Sequence, residues 1–196
     1  MKRFYLLTIS LLVATFSCAS LYAQQDFGKE TTMSRQEARK AARAAHKKAV
    51  EAENQQLFEQ SVQCLKEGEF VIEVDQILFP NGMNKYVSFI TNFVSMNEGK
   101  SVVQVSTSNF NPGPNGLGGI TVQGSVSNIT MSTKKGVVYY NYAIQGALVS
   151  ATINIVLAGS NRATVTIFPN FNNNNLTMIG KIVPPSQSQV YKGMTI

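Results

Sequence analysis

The chain from Glu69 to Ile196 contains no histidine, no cysteine and no tryptophan, and it holds only four carboxylates. These groups carry much of the acid–base, nucleophilic and metal chemistry of enzymes. Glu73 and Asp75 lie two residues apart, which would place both on one strand face, where paired carboxylates can act in catalysis or bind calcium. Both alternate with apolar residues, however, and are expected to face solvent. The sequence therefore favours a binding or structural protein over an enzyme, with no metal or other cofactor.

The two cysteines and the single histidine lie before this region. If Cys18 leaves with a signal peptide, Cys64 is the one remaining thiol, and no intramolecular disulfide can form. Cys64 falls within a helical pattern, where a half-buried structural cysteine is the ordinary case. His46 is surrounded by lysines and arginines, so it is a poor metal ligand. Stability is therefore expected to come from a hydrophobic core.

The first residues, 1–23, have the pattern of a secretory signal peptide. Two basic residues precede the apolar run 4–16, which is shorter than the roughly 20 residues that span a bilayer. Cleavage is predicted between Ala23 and Gln24. The protein is expected to be exported to the periplasm or secreted, with no transmembrane segment in the mature chain. The alternative is a lipoprotein tethered through Cys18, which follows a weak version of a lipoprotein box.

A long helix is predicted over residues 34–67, after a disordered linker at 24–33. Ser34 and Glu37 have the spacing of a capping box, and Gly68 is a natural stop. Alanines form a stripe along the first half of the helix, and larger apolar residues occur in the second half. Only the second half is therefore expected to pack on the folded body.

Six basic residues crowd the first half of this helix around one acid: Arg35, Arg39, Lys40, Arg43, Lys47 and Lys48. The run 35–48 is interpreted either as a solvated helix face or as an arm that contacts an envelope protein or an anionic surface. Basic residues near a helix N-terminus oppose the helix dipole, which indicates a role outside folding. The formal net charge of +6 falls to +4 without Lys2 and Arg3, so nucleic-acid binding is not expected.

From residue 68 onward the apolar pattern changes to a period of two, which is typical of strands. About eight or nine strands joined by short turns predict an antiparallel meander over residues 68–196. A phase slip at Ser127 and Asn128 predicts a bulge. A meander of this length must hide its edges, so a mainly β fold is predicted that closes into a lipocalin-like β-barrel. A two-sheet β-sandwich is the alternative.

Two features are candidate ligand contacts. The loop from Pro112 to Gly119 holds four glycines and two prolines in eight residues, and its candidate residues are Pro112, Gly113, Pro114, Asn115 and Gly116. Such a loop either contacts a ligand or seals one end of the barrel. Tyr140 and Tyr142 share one face of a tyrosine-rich strand, where they either line a cavity for an apolar ligand or pack in the core.

Several motifs make the stretch from Phe70 to Gly193 resemble the domain-of-unknown-function family 4251, a family of exported Bacteroidetes proteins. The motifs are Tyr86-Val87 with Thr91-Asn92-Phe93-Val94, the Pro112–Gly119 loop, Gly159-Ser160-Asn161 with Ala163-Thr164-Val165, Pro169-Asn170-Phe171, and Val190-Tyr191-Lys192-Gly193. The resemblance implies export and a lipocalin-like β-barrel, and it carries no established activity. The segment 184–189 is less acidic than the usual ending of the family, which argues against a carboxylate role there.

Together these patterns predict an exported, non-enzymatic protein that binds a small apolar or amphipathic ligand inside its β-barrel. The alternative is a structural or interaction protein of the envelope that docks through its basic N-terminal helix.

Overall fold

The chain changes from helix to strand at Gly68. The computed structural model describes residues 2–107, 113–147, 149–170 and 175–195, with side chains from Ser34 onward. Helix α1 (Lys2–Glu67) ends where Gly68, at a φ of 71°, turns the backbone. The Gly68 amide donates to the Leu65 carbonyl at 3.3 Å, and the Glu69 amide donates to the Cys64 carbonyl at 3.1 Å. This is a Schellman motif, which satisfies carbonyls of the last helical turn.

The predicted linker range 24–33 lies within α1. Signal-peptide cleavage and the start of the mature chain stay predictions. The chain divides into two compact units, Met1–Glu51 and Ala52–Ile196.

The second unit holds nine strands in its described residues. They are β1 (Phe70–Leu78), β2 (Asn84–Tyr86), β3 (Phe93–Asn97), β4 (Lys100–Ser106), β5 (Gly119–Lys134), β6 (Val137–Gly146), β7 (Ser150–Ala158), β8 (Arg162–Pro169) and β9 (Leu176–Val183). A short 3₁₀ helix at Pro185–Gln187 follows the last strand.

All strand pairs are antiparallel, and β9 pairs back onto β1. This pairing closes β1 and β3 to β9 into an eight-stranded barrel, while the short β2 pairs with the second half of β1. The predicted barrel is confirmed, and the sandwich alternative is wrong because the two sheet edges that it would leave open are joined. Closure removes the exposed edges of a long meander.

The closing seam depends on a glycine and a bulge. The register between β1 and β9 shifts between Val74 and Gln76, opposite Gly180. A Cβ atom at Gly180 would lie 2.2 Å from the Glu73 carbonyl oxygen, so only glycine allows β1 and β9 to approach this closely. The bulge predicted near Asn128 is also confirmed, since the register of β5 and β6 shifts between Ser127 and Thr130.

The barrel interior is filled by alternate residues of the strands. Its large, fully buried side chains include Phe70, Ile72, Ile153, Ile155 and Leu157. The last turns of α1 add Cys64 and Leu65 to the same hydrophobic cluster, with Phe58 and Val62 packed against it. Described side chains of residues 34–53 are all exposed. The second half of the helix thus contributes to the core, as its larger apolar residues predict.

Candidate functional site

Tyr140 and Tyr142 are core residues of the barrel, 2% and 1% exposed. The Tyr140 ring lies edge-on to Phe70 at 5.9 Å and to Tyr142 at 6.0 Å between centroids. Their hydroxyls have partners as well: Tyr142 lies 3.0 Å from the Ser101 hydroxyl, and Tyr140 donates to the Met96 sulfur at 3.7 Å. Burial raises the pKa of both phenols. The two rings therefore occupy the space that an interior ligand would need.

The structure describes four of the five candidate loop residues, and Pro112 lies outside the described residues. Asn115 organises the described part of this loop. Its side-chain oxygen accepts from the amides of Leu117 at 2.9 Å and Gly119 at 3.0 Å. Its side-chain nitrogen donates to the Thr121 hydroxyl at 3.3 Å. Asn115 is 1% exposed, so its polar atoms hold the loop together and face no solvent.

The glycines of the loop permit its tight backbone path. Gly113 has a φ of 59°, and a Cβ atom there would lie 2.7 Å from the Gly119 nitrogen. A Cβ atom at Gly116 would lie 3.3 Å from the terminal methyl of Met194. Pro114, between Gly113 and Asn115, is exposed. In the described residues this geometry matches the structural interpretation of the loop; ligand contact stays a prediction.

A fully buried glutamine, Gln104 of β4, connects this loop to two other segments. Its nitrogen donates to the carbonyls of Thr91 at 3.0 Å and Tyr191 at 2.8 Å. Its oxygen accepts from the Thr121 hydroxyl at 2.8 Å and from the Gly193 amide at 2.8 Å. Both N–H groups and both oxygen lone pairs of this amide are thereby used by the fold itself.

The Gln104 side chain belongs to a row across the outer barrel surface. Thr121 pairs with Gln104, Gln104 pairs with Phe93, and Phe93 pairs with Glu73. Because side chains directly opposite one another share a sheet face, these four residues form one band across four strands. Phe93 is 2% exposed although it lies outside the core cluster, so something covers this band.

The cover is the segment 188–194, here named the C-terminal strap. At one end, Ser188 and the Gln189 amide donate to a Glu73 carboxylate oxygen at 3.0 and 3.3 Å. At the other end, the Met194 amide donates to the Asn115 carbonyl at 3.1 Å. Gln104 binds the strap between these two ends. The strap therefore crosses the strands and is held by side chains that face outward from the barrel.

The two carboxylates considered as a catalytic pair have separate structural partners. Glu73 binds the strap, as described above. Asp75 forms a two-pronged ion pair with Arg162, with its oxygens 2.8 and 2.7 Å from the guanidinium nitrogens. Hydrogen bonding to Asp75 raises the pKa of Arg162. Each carboxylate thus has a partner in the fold, and the two do not share one.

The described residues include an open surface cleft of about 340 Å³ between β2, β4 and the segment that enters β3. Its walls are Lys85, Tyr86, Val87, Ser88, Thr91, Ser106 and Thr107. Asn92, which is 0% exposed, lies beneath it. The Asn92 nitrogen donates to the carbonyls of Ser88 at 2.9 Å and Ser106 at 3.0 Å, and its oxygen accepts from the Ser106 amide at 2.7 Å. One buried side chain therefore fixes two walls of the cleft.

The first unit carries a different surface. Arg35, Arg39, Arg43 and Lys47 follow at four-residue intervals, so they lie along one helix face, here named the basic face. All four side chains are exposed. Lys47 has an acidic neighbour, Glu51, at 3.7 Å. The structure thus brings these predicted contact residues together on one side of the helix.

The other residues singled out from the sequence form no binding or catalytic site among the described residues. Cys64 is buried, and burial together with the charge of Glu67 raises the pKa of its thiol. The described residues hold no group of three metal-ligating side chains. Within the part of the chain that the structure describes, no helix is long and apolar enough to cross a membrane. Cys18, Ala23 and Gln24 lie outside the residues with described side chains, so lipidation and cleavage stay predictions.

The sequence patterns do not predict that Gln104 binds the C-terminal strap, or that Asn92 bonds to two walls of the cleft. A signal was present, because each is an amide residue in or next to a strand of apolar neighbours. Alternation alone assigns such a residue to an outer, solvated face. The strap that covers this face arrives from about 90 positions later in the chain, a distance that local patterns do not detect.

Comparisons with known proteins match the barrel unit. The family model described as "Domain of unknown function (DUF4251)" matches residues 52–182. The crystal structure of a DUF4251 family protein from Bacteroides eggerthii, at 1.95 Å resolution, is 44% identical, with a TM-score of 0.61. The match covers 70% of this chain and 94% of that chain. No curated protein matches the chain. The family match begins at Ala52, the first residue of the second unit.

Proposed function

Because the chain belongs to the DUF4251 family, a β-barrel family of unknown function, we propose that it is an exported protein that docks on an anionic lipid surface. The docking element is the basic face of α1. The barrel is the folded body that this arm attaches to the surface. The predicted signal peptide supports export, and lipidation at Cys18 would add a second attachment to the same membrane.

The observation that carries this proposal is the exposed basic face on a separate unit. Residues 34–51 hold six basic and two acidic groups, a net charge of +4, and all their described side chains are exposed. Each lysine or arginine near an anionic membrane contributes about 1 kcal/mol to binding. Four cations on one helix face can approach a flat surface together, so their contributions add.

An interior ligand has weaker support than surface docking. Tyr140 and Tyr142, the predicted lining of an apolar cavity, pack against Phe70 in the filled core. An apolar ligand at this position would have to displace buried side chains, and cores lose about 2–5 kcal/mol for each large side chain that is lost.

The test is sedimentation of the chain from Gln24 onward with phosphatidylcholine vesicles, with and without phosphatidylglycerol. We expect binding only to the anionic vesicles, and binding that weakens as salt rises. Replacing Arg35, Arg39, Arg43 and Lys47 by glutamine should lower the affinity more than about tenfold, because four surface contacts are lost.

The matched control replaces four exposed lysines elsewhere by glutamine: Lys66, Lys100, Lys134 and Lys135. It changes the net charge by the same amount, so it should keep most of the binding. An equal loss of vesicle affinity in both variants would show that only net charge matters, and would contradict a specific docking face. Binding to a soluble acidic polysaccharide, with none to vesicles, would replace the lipid surface as the partner.

A further inference from the structure

We propose that the outer barrel surface beneath the C-terminal strap is a peptide-binding site, and that a second copy of the chain can fill it with its own strap. This surface, here named the strap groove, is formed by Glu73, Phe93, Gln104 and Asn115. It involves neither the basic face nor a lipid, so it is independent of the docking proposal. Its ligand is a short peptide segment that is recognised mainly through its backbone.

Gln104 binds two backbone groups of the strap. Its side-chain oxygen accepts from the Gly193 amide, and its nitrogen donates to the Tyr191 carbonyl, each at 2.8 Å. The Tyr191 amide donates in turn to the Ile90 carbonyl at 2.7 Å. Because these bonds use the peptide backbone, they can form with any segment that follows the same path.

The larger side chains of the strap point mostly into solvent. Tyr191 and Met194 are 61% and 66% exposed. Lys192 is also exposed, and its ammonium donates to the side-chain oxygen of Gln123. The strap is therefore held chiefly as a backbone, which is the mode by which sheets and grooves bind extended peptides.

Gly193 gives the strap groove its sequence requirement. A Cβ atom at this position would lie 2.6 Å from the Asn115 carbonyl oxygen and 2.8 Å from the Leu117 Cδ1 atom. The Asn115 backbone is held in place, because its own side chain accepts from the amides of Leu117 and Gly119. A peptide with a larger residue at this point would have to leave part of the groove. The preferred ligand therefore carries glycine there.

The strap of a second copy meets this requirement, because it has the same sequence and the same glycine. The described strap follows β9 and contributes no strand to the barrel, so its release leaves every strand pair in place. Within one chain the strap competes at an effective concentration on the order of millimolar, since a short linker joins it to β9. Exchange between copies is thus favoured where the chain is locally concentrated or where its own strap is weakened.

The test frees the strap groove by Gly193→Ala in the chain that begins at Gln24, and then adds a synthetic peptide with the sequence of residues 186–195. Protein NMR follows the side-chain amide signals of Gln104 and Asn115. We expect excess peptide to return these signals to their positions in the unmodified chain. The same peptide carrying Gly193→Ala should bind at least about tenfold more weakly, because its methyl group contacts the Asn115 carbonyl.

A second variant frees the strap groove by a different route. Tyr191→Pro removes the amide that donates to the Ile90 carbonyl, and it should respond to the unsubstituted peptide in the same way. Met194→Ala is the matched control, since it removes an exposed side chain of the strap and keeps the backbone bond to Asn115. In this control the Gln104 signals should match those of the unmodified chain, and added peptide should leave them unchanged.

The second copy is tested by mixing two chains. Isotope-labelled Gly193→Ala provides the strap groove, and unlabelled Gln104→Ala provides an intact strap that its own groove holds less tightly. We expect this partner to restore the labelled signals as the peptide does, whereas unlabelled Gly193→Ala should leave them unchanged. The proposal is overturned if the peptide restores no signal, if the peptide carrying Gly193→Ala binds equally well, or if the peptide restores the signals and the partner chain does not.

Discussion

The helical arm, residues 34–51, and the barrel unit, residues 52–196, use their polar side chains in opposite ways. In residues 34–51 every described side chain is exposed, and the charges lie in water. In the barrel unit Asn92, Gln104, Asn115 and Thr121 are buried and hydrogen-bonded within the fold. Among the described residues, Asn154 Oδ1 is the one buried side-chain polar atom without a partner. The polar side chains of the barrel bond within its own fold, whereas those of residues 34–51 are exposed to solvent.

This difference fits the small number of carboxylates in the barrel, four from Glu69 to Ile196. Its outer band is polar because it must bind the C-terminal strap, and neutral amides do this without the cost of burying charge. Glu73 is the one charged residue of this band, and it binds one end of the strap.

The largest effect should come from the barrel interior. Ile155→Ala removes a side chain that is 0% exposed, so it should lower the free energy of unfolding by about 3–4 kcal/mol through lost burial and a cavity. Ile129→Ala, in the same barrel but 51% exposed, should cost less than about 1 kcal/mol. Urea unfolding measures both. Similar losses in the two variants would contradict a filled interior.

The next effect concerns the strap. Gln104→Ala leaves the Gly193 amide, the Thr121 hydroxyl and two carbonyls without their partner, and should cost about 2–3 kcal/mol. Gln145→Ala, an exposed glutamine of β6, is the matched control and should cost less than about 0.5 kcal/mol. Hydrogen exchange should also show faster exchange of the Gly193 and Met194 amides in Gln104→Ala alone. Unchanged exchange there would show that Gln104 does not hold the strap.

A smaller effect depends on pH. Burial raises the pKa of Tyr140 and Tyr142 above the ordinary value of 10.0, so the folded barrel keeps protons that the unfolded chain has released. The contribution of the two tyrosines to stability should therefore be fully present below about pH 10 and be lost as the pH rises further. Cys64, raised from 9.0, acts in the same direction from about pH 9.

Urea unfolding across this pH range measures the alkaline loss of stability. A Cys64→Ala background removes the contribution of the thiol. Tyr142→Phe should show a shallower alkaline loss than its parent, because one of the two buried phenols is gone. The variant is also expected to be less stable at neutral pH, since the Ser101 hydroxyl loses its partner, so the slopes of stability against pH are compared. Equal slopes would show that Tyr142 does not titrate as a buried group.

The sequence predicts the barrel because the required signals are local. Period-two alternation, short turns and the phase slip at Asn128 each lie within a few residues, and together they define an antiparallel meander. Closure follows from the need to hide sheet edges. The close approach of β1 and β9 at Gly180 has no such local signal, since Gly180 and Glu73 are far apart in the chain.

The candidate site was harder to predict because its parts are distant in sequence. Asn115 could be singled out from the composition of its loop, but its role depends on Thr121 and on the strap. Alternation places Tyr140 and Tyr142 on one face of β6, but periodicity does not distinguish a filled interior from a cavity. The cleft requires β2 beside β1 and the end of β4 beside Ser88, which only the folded chain provides.

The barrel unit, residues 52–196, is expected to fold without residues 34–51. Urea unfolding of the chain that begins at Ala52 is compared with that of the chain that begins at Ser34. Because the described side chains of residues 34–51 are exposed, their removal should change the free energy of unfolding by less than about 0.5 kcal/mol. A loss of more than about 1.5 kcal/mol would show that the arm is part of the folded body, and would contradict the division of roles.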